Sequence, residues 1–295
     1  MGLSQIAAAA RHDPLEAAHL ILQRIAPGVQ IARLEKQSAR AGLKKPAFTL
    51  SFDCDTDRDI AVARPVHERL LEMGITGIYA VPGELLERGR EVWARIANTG
   101  AEFMNHGYRE HTVYDGGRYV STLFYDKMAP ADIEHDIERG GAAVGRVVGT
   151  MPKGFRTPHF GSFRTQARIA WLHRLLARLG YVYSSSTTPY IALRHGPFTR
   201  HFGLTELPVS GCPDYPMMIL DSYNFRFSPG RFGPDDYIRQ ASRWADALGQ
   251  GRPLFVNLYV DPSQVADWPE FFEAMKKLAP FARKSYQALI AEISA

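Results

Sequence analysis

The stretch Phe48-Thr49-Leu50-Ser51-Phe52-Asp53-Cys54-Asp55-Thr56-Asp57 decides how this chain reads. Its apolar run has the profile of a buried strand and stops abruptly at three carboxylates spaced two apart. Side chains alternate with period two along a strand, so an extended backbone projects Asp53, Asp55 and Asp57 to one side. Three like charges held that closely repel one another unless a cation, a proton or an arginine relieves them. Asp57 also suits a turn or a cap, because Asp bonds its own neighbouring backbone there. Cys54 points the other way and reads as a small core residue.

Outward from this strand the pattern alternates. Residues 64–73 read as an amphipathic helix beginning near Arg64-Pro65, 76–81 as a second apolar run, and 84–98 as a helix. A short strand over 101–106 ends in His106. The segment 107–129 is rich in Tyr and Gly and has no clear periodicity. Helices follow over 130–148, 164–179, 234–248 and 268–293, the last interrupted around Pro280. Further strands fall at 153–157, 181–184, 205–210 and 253–259. Seven strands mostly separated by helices are the signature of parallel βαβ units, either a barrel or an open doubly wound sheet. Ahead of them, 14–25 has helical spacing with Asp13 as N-cap and Pro14 in the first turn. Residues 31–45 read as an exposed basic connector. The expected division is an N-terminal helical extension, 1–45, and one α/β domain, 46–295.

Composition narrows the class. The 295 residues are 45% hydrophobic and 22% charged, enough for one large soluble core. The net charge of +4 is carried by scattered Lys and Arg, with no aromatic-interleaved basic stripe, which argues against nucleic acid as a partner. Two cysteines in a chain this long fit a reducing compartment. The N-terminus has no basic n-region, and no apolar run is long enough to span a bilayer. The expected location is cytoplasmic, and self-association is left open.

The polar residues of interest cluster where strands end: Asp53 and Asp55, then His106 with His111 beyond it, Arg156, and finally Asn257, Tyr259 and Asp261. In a parallel barrel or sheet such ends meet on one face, where active sites are built. One Asp with two His is a ligand set for a zinc-type ion that keeps an open position. A second carboxylate beside it can take a proton while the metal polarises a carbonyl.

Ser51-Phe52-Asp53-Cys54-Asp55, Asn105-His106-Gly107-Tyr108-Arg109-Glu110-His111 and Phe155-Arg156-Thr157-Pro158-His159-Phe160-Gly161 resemble, in order, the first three motifs of the polysaccharide deacetylases. This is the NodB-homology group, carbohydrate esterase family 4. The Asp-x-Asp pattern and the stretch from Leu207 to Asp214 are similar to its peptidoglycan deacetylase and allantoinase-like branch. The resemblance covers residues 47–290. It implies an α/β fold, a distorted (β/α) barrel of about seven parallel strands, and hydrolysis of an N-acyl group, usually acetyl, from an amino sugar.

It also implies roles. Asp53 matches the catalytic base, Arg156 the arginine that pairs with it, and Asp55, His106 and His111 the ligands of a divalent metal, zinc first. The backbone near His159 and Phe160 matches the region that binds the oxyanion. Tyr108 and Asp214 complete the expected substrate contacts, although the aromatic content of 107–125 serves equally to pack a long loop. Two motifs carry one residue more than the family pattern, between His106 and His111 and before Gly161. The last strand lacks the family's general-acid histidine, and no histidine follows His201. Tyr259 or Asp261 would stand in for it, or His159 would reach in. Three readings follow: an N-deacetylase acting on an amino-sugar glycan or its precursor, a small cyclic amide or ureide hydrolase, and a catalytically impaired glycan-binding homologue.

Overall fold

Ten strands follow one another in the described part of the computed structural model, which comprises residues 3–163, 165–227 and 232–295. They are β1 (Ala47–Asp53), β2 (Ile78–Val81), β3 (Glu102–Asn105), β4 (Thr112–Asp115), β5 (Arg118–Ser121), β6 (Gly154–Phe155), β7 (Tyr183–Ser184), β8 (Thr199–His201), β9 (Leu204–Glu206) and β10 (Phe255–Val260). The main sheet has the order β10-β1-β2-β3-β6-β7-β9-β8. Its first seven members correspond to the seven expected apolar runs and pair in parallel throughout. β8 adds an antiparallel edge. The sheet curls into a half-barrel with helices outside it.

Alternation along β1 explains the curl's two environments. Phe48, Leu50, Phe52 and Cys54 enter the main apolar core under the helices. Thr49, Ser51 and Asp53 face the other way, into a polar interior. The open side is stitched by polar groups instead of a strand ladder. Ser210 N donates to the Asn257 carbonyl at 2.7 Å, and Asn257 Nδ2 donates to the carbonyls of Leu207 and Pro208, both at 3.1 Å. Asn257 Oδ1 accepts from Thr49 Oγ1 and from the Tyr286 hydroxyl. Asn257 is therefore a seam pin.

Three expectations are corrected. Residues 31–45 are not an exposed connector: a helix spans Pro27–Arg40 and buries Gln30, Leu34 and Ser38, spaced four apart, while its basic residues face out. The helix after β1 begins at Asp57, not near Pro65, because Thr56 and Asp59 cap it and Pro65 is accommodated inside it. The segment 107–129 contains the β4–β5 hairpin, turned by Gly116 and Gly117, both at positive φ. Its strands are largely exposed, so no core-facing periodicity marks them.

At the chain's start, helices Leu3–His12 and Pro14–Ile25 precede the Pro27–Arg40 helix. Asp13 caps the second, accepting from Leu15 N, and takes an ion pair from Arg194. Among the described residues no helix is long and apolar enough to cross a membrane.

Candidate active site

The inward column of β1 ends at Asp53, whose Oδ1 accepts from Arg156 Nη1 at 2.7 Å. Arg156, just beyond β6, is fully buried, and its Nη2 donates to Ser51 Oγ at 2.9 Å and Ser185 Oγ at 3.1 Å. The guanidinium also lies 5.0 Å from the Phe160 ring centroid and 5.6 Å from that of Tyr259. Burial pushes the Asp53 carboxyl above its ordinary range, and Arg156 pulls against that shift. A carboxylate so placed is a better proton acceptor than one in water.

Beside this pair, Asp55, His106 and His111 converge, with one ligand atom from each lying within 4.8 Å of the others. Asp55 Oδ1 is 3.0 Å from His111 Nε2 and 3.3 Å from His106 Nε2. His106 Nδ1 donates to the Arg156 carbonyl at 2.8 Å, which leaves the lone pair of Nε2 facing Asp55. That buried nitrogen has no hydrogen-bond partner. Two acceptors aimed at each other across a short gap call for a cation, so the donor set fits a divalent metal. Burial would raise the Asp55 carboxyl, but His111, whose Nε2 lies 3.0 Å away, works against it and Asp55 is held well below the ordinary carboxylate range.

The loops that carry these residues are held by two buried carboxylates that sequence reasoning missed. Asp59 accepts from Asp55 N at 3.1 Å, from Thr56 N and Thr56 Oγ1 at 2.9 Å, and from Ser263 N at 2.9 Å. It joins the loop after β1 to the short helix Pro262–Val265 that follows β10. Burial pushes its carboxyl up to about 6. The Thr56-x-x-Asp59 spacing of a capping box was the available signal. Asp136 accepts from Tyr108 N at 3.1 Å and Arg109 N at 3.3 Å, and from the Tyr125 hydroxyl at 2.7 Å. With Gly107 at φ 78°, this folds the extra residue between His106 and His111 into a tight loop. Gly140 permits the close approach, since a Cβ there would lie 2.5 Å from the Gly107 backbone. Removing the Asp59 carboxyl strands several buried donors at once, so Asp59→Ala should cost about 1–3 kcal/mol of stability. Denaturant unfolding checks this; a loss under about 0.5 kcal/mol, the scale of an ordinary surface change, would contradict it.

A cavity of about 330 Å³ opens over the site and is lined by Asp53, Asp55 and His106 together with Tyr119, His159, Phe160, Asp221, Tyr259 and Asp261. The hairpin forms one wall, where the Tyr119 hydroxyl meets Ser263 Oγ at 3.0 Å. His159 sits at φ 56°, and its Nε2 lies 3.2 Å from the His111 carbonyl. Burial, with His111 nearby, lowers His159 to about 4, so it is neutral at physiological pH.

Tyr108 and Asp214 do not line the cavity. Tyr108 donates to Glu87 at 3.0 Å and stacks under Arg139, while Asp214 is taken by Gln240 and Arg243. Asp57, which suits a turn or cap and would align with Asp53 and Asp55 only on an extended backbone, faces solvent and pairs with Arg88 at 2.7 Å, because the strand ends at Asp53 and a helix starts at Asp57.

No family profile and no curated protein matches the sequence. Among solved structures, the chain is similar to a protein from Mycobacterium smegmatis provisionally named a polysaccharide deacetylase. The two share 21% identity over 84% of this chain and 90% of that one, with a TM-score of 0.61. A similarly named protein from Pseudomonas aeruginosa PAO1 shares 14% identity over 84% and 89%, with a TM-score of 0.57. A carbohydrate esterase family 4 pseudoenzyme from Bacillus anthracis shares 12% over 85% and 67%, at 0.52. At such identities the likeness is one of fold.

Proposed function

We propose that this chain, folded as the polysaccharide deacetylases are, is a metal-dependent hydrolase that removes an N-acyl group, acetyl first, from an amino-sugar glycan or its precursor. The observation that carries this reading is that the buried Asp53–Arg156 pair and the donor set Asp55, His106 and His111 lie side by side, with Asp53, Asp55 and His106 facing one cavity. A divalent cation held by those three residues, zinc in our reading, would polarise the scissile carbonyl and the attacking water. Asp53 takes the water's proton, and Arg156 holds its carboxylate in place. Backbone N–H groups of the His159–Phe160 turn are the proposed donors to the oxyanion.

The leaving amine needs a proton. His159 is poorly suited to give it, being neutral and engaged with the His111 carbonyl. Tyr259 and Asp261, both at the cavity, remain as donors. The absence of a histidine on or after β10 also favours a second reading, a glycan-binding protein without turnover.

Incubating zinc-loaded protein separately with N-acetylglucosamine oligomers, an N-formylated amino sugar and a cyclic ureide, and assaying acetate, formate and ring-opened product respectively, tests the reading. Acetate release that stops on chelation is expected. Asp55→Ala and His106→Ala should each lose bound zinc by elemental analysis. Full metal content in both variants would sink the ligand assignment, and no acetate from the loaded wild type would favour the binding protein.

A further inference from the structure

We propose that Asp221 is the proton source for the departing amine and acts through Tyr259. This rests on the hydrolase reading above and supplies the acid it lacks. Asp221 lies just ahead of the short helix Ser222–Arg226 and is buried in the wall of the cavity that contains Asp53 and Asp55. The Tyr259 hydroxyl reaches its Oδ2 at 3.2 Å. On the other side, the Tyr259 ring packs against Phe160 at 4.8 Å between centroids and against the Arg156 guanidinium. Tyr259 thus spans from the Asp53–Arg156 pair to Asp221, and its hydroxyl has the one partner needed for a relay.

Asp221 also accepts from Asn224 N and Nδ2, but among the described residues it is the acid that holds the Tyr259 hydroxyl. Asp261 accepts from Gln264 Nε2, and His159 Nε2 faces the His111 carbonyl. Burial also pushes the Asp221 carboxyl up to about 6, so it carries a proton near neutrality far more often than an ordinary Asp.

The step balances. As the C–N bond of the tetrahedral adduct breaks, its electron pair goes to nitrogen, and the Tyr259 hydroxyl gives nitrogen its proton. Asp221 passes its own proton to the phenolic oxygen. The amine leaves neutral, and Asp221 ends as a carboxylate that accepts from Tyr259. Asp53 then releases the proton taken from water, the new carboxylic acid ionises, and Asp221 regains a proton from solvent. As a residue acting through another, Asp221 is a positioning and proton-supplying group.

Leaving-group dependence separates this role from a structural one. A departing amine must be protonated, whereas p-nitrophenolate leaves without help. Asp221→Asn keeps an acceptor for Asn224 N, which Asp221 now caps at 2.6 Å, so the short helix is retained. For Asp221→Asn and Tyr259→Phe we expect the ratio of acetate release from N-acetylglucosamine oligomers to p-nitrophenyl acetate hydrolysis to fall about 10²–10⁴-fold. Asp53→Asn should lower both activities. If either variant depresses the two alike, or neither changes the ratio, the assignment is overturned. A wild type inert toward both substrates overturns the hydrolase reading itself, and that is seen before any variant is made.

Discussion

Asp53→Asn should lower acetate release by about 10²–10⁴-fold, the range of a lost general acid–base group, with zinc content unchanged. The substitution is nearly isosteric. An amide oxygen at this position still accepts from Arg156 Nη1, so the contact now 2.7 Å long survives. What disappears is the ability to take a proton. The proposed ligand atoms belong to Asp55, His106 and His111 and are untouched, so metal analysis and turnover should part company. This separation distinguishes a base from a ligand: a ligand variant loses both. Steady-state kcat at equal zinc occupancy makes the comparison, and a variant that keeps turnover within about tenfold of wild type would leave no room for Asp53 as the base.

The residues that make this site legible in the sequence are the ones whose environment is set by strand periodicity. β1 is buried from end to end and flanked by two parallel neighbours, so its apolar run and its terminal carboxylates both appear in the string of letters. The same holds for His106 after β3 and Arg156 after β6. The hairpin was opaque for the opposite reason. Its strands face solvent, and only the Asp115-Gly116-Gly117-Arg118 turn announces it. Asp59, Asp136 and Asp221 were missed because each, beyond any local cap, accepts a hydrogen bond from a residue distant in sequence. Ser263 N reaches Asp59 and the Tyr259 hydroxyl reaches Asp221 only after the chain has folded. A cap spacing hints at where such an Asp sits and says nothing of what its second oxygen will hold. Tyr108 shows the converse: its motif position lies close to a proposed ligand, yet its phenol ends on Glu87, outside the cavity.

Arg156 offers a test of what the buried pair is for. Arg156→Met would leave the Asp53 carboxylate without its partner and take a donor from Ser51 and Ser185. Breaking one side of a buried ion pair costs about 3–5 kcal/mol, because the surviving charge is stranded in a medium that solvates it poorly. Arg156 is fully buried and Asp53 nearly so, which places the pair in that regime instead of the weak surface one. The double variant Arg156→Met with Asp53→Asn removes both charges and should recover a large part of the loss, since uncharged replacements of a buried pair are often close to neutral. Denaturant unfolding of the two single variants and the double variant gives the coupling directly. A single Arg156→Met change costing less than about 1 kcal/mol, the scale of exposed pairs, would mean that water reaches Asp53 and solvates it there. If the cycle closes as expected, a fold indifferent to the pair as a unit keeps it at the end of β1 because an ionisable, oriented Asp53 is required there, and stability alone would not select it.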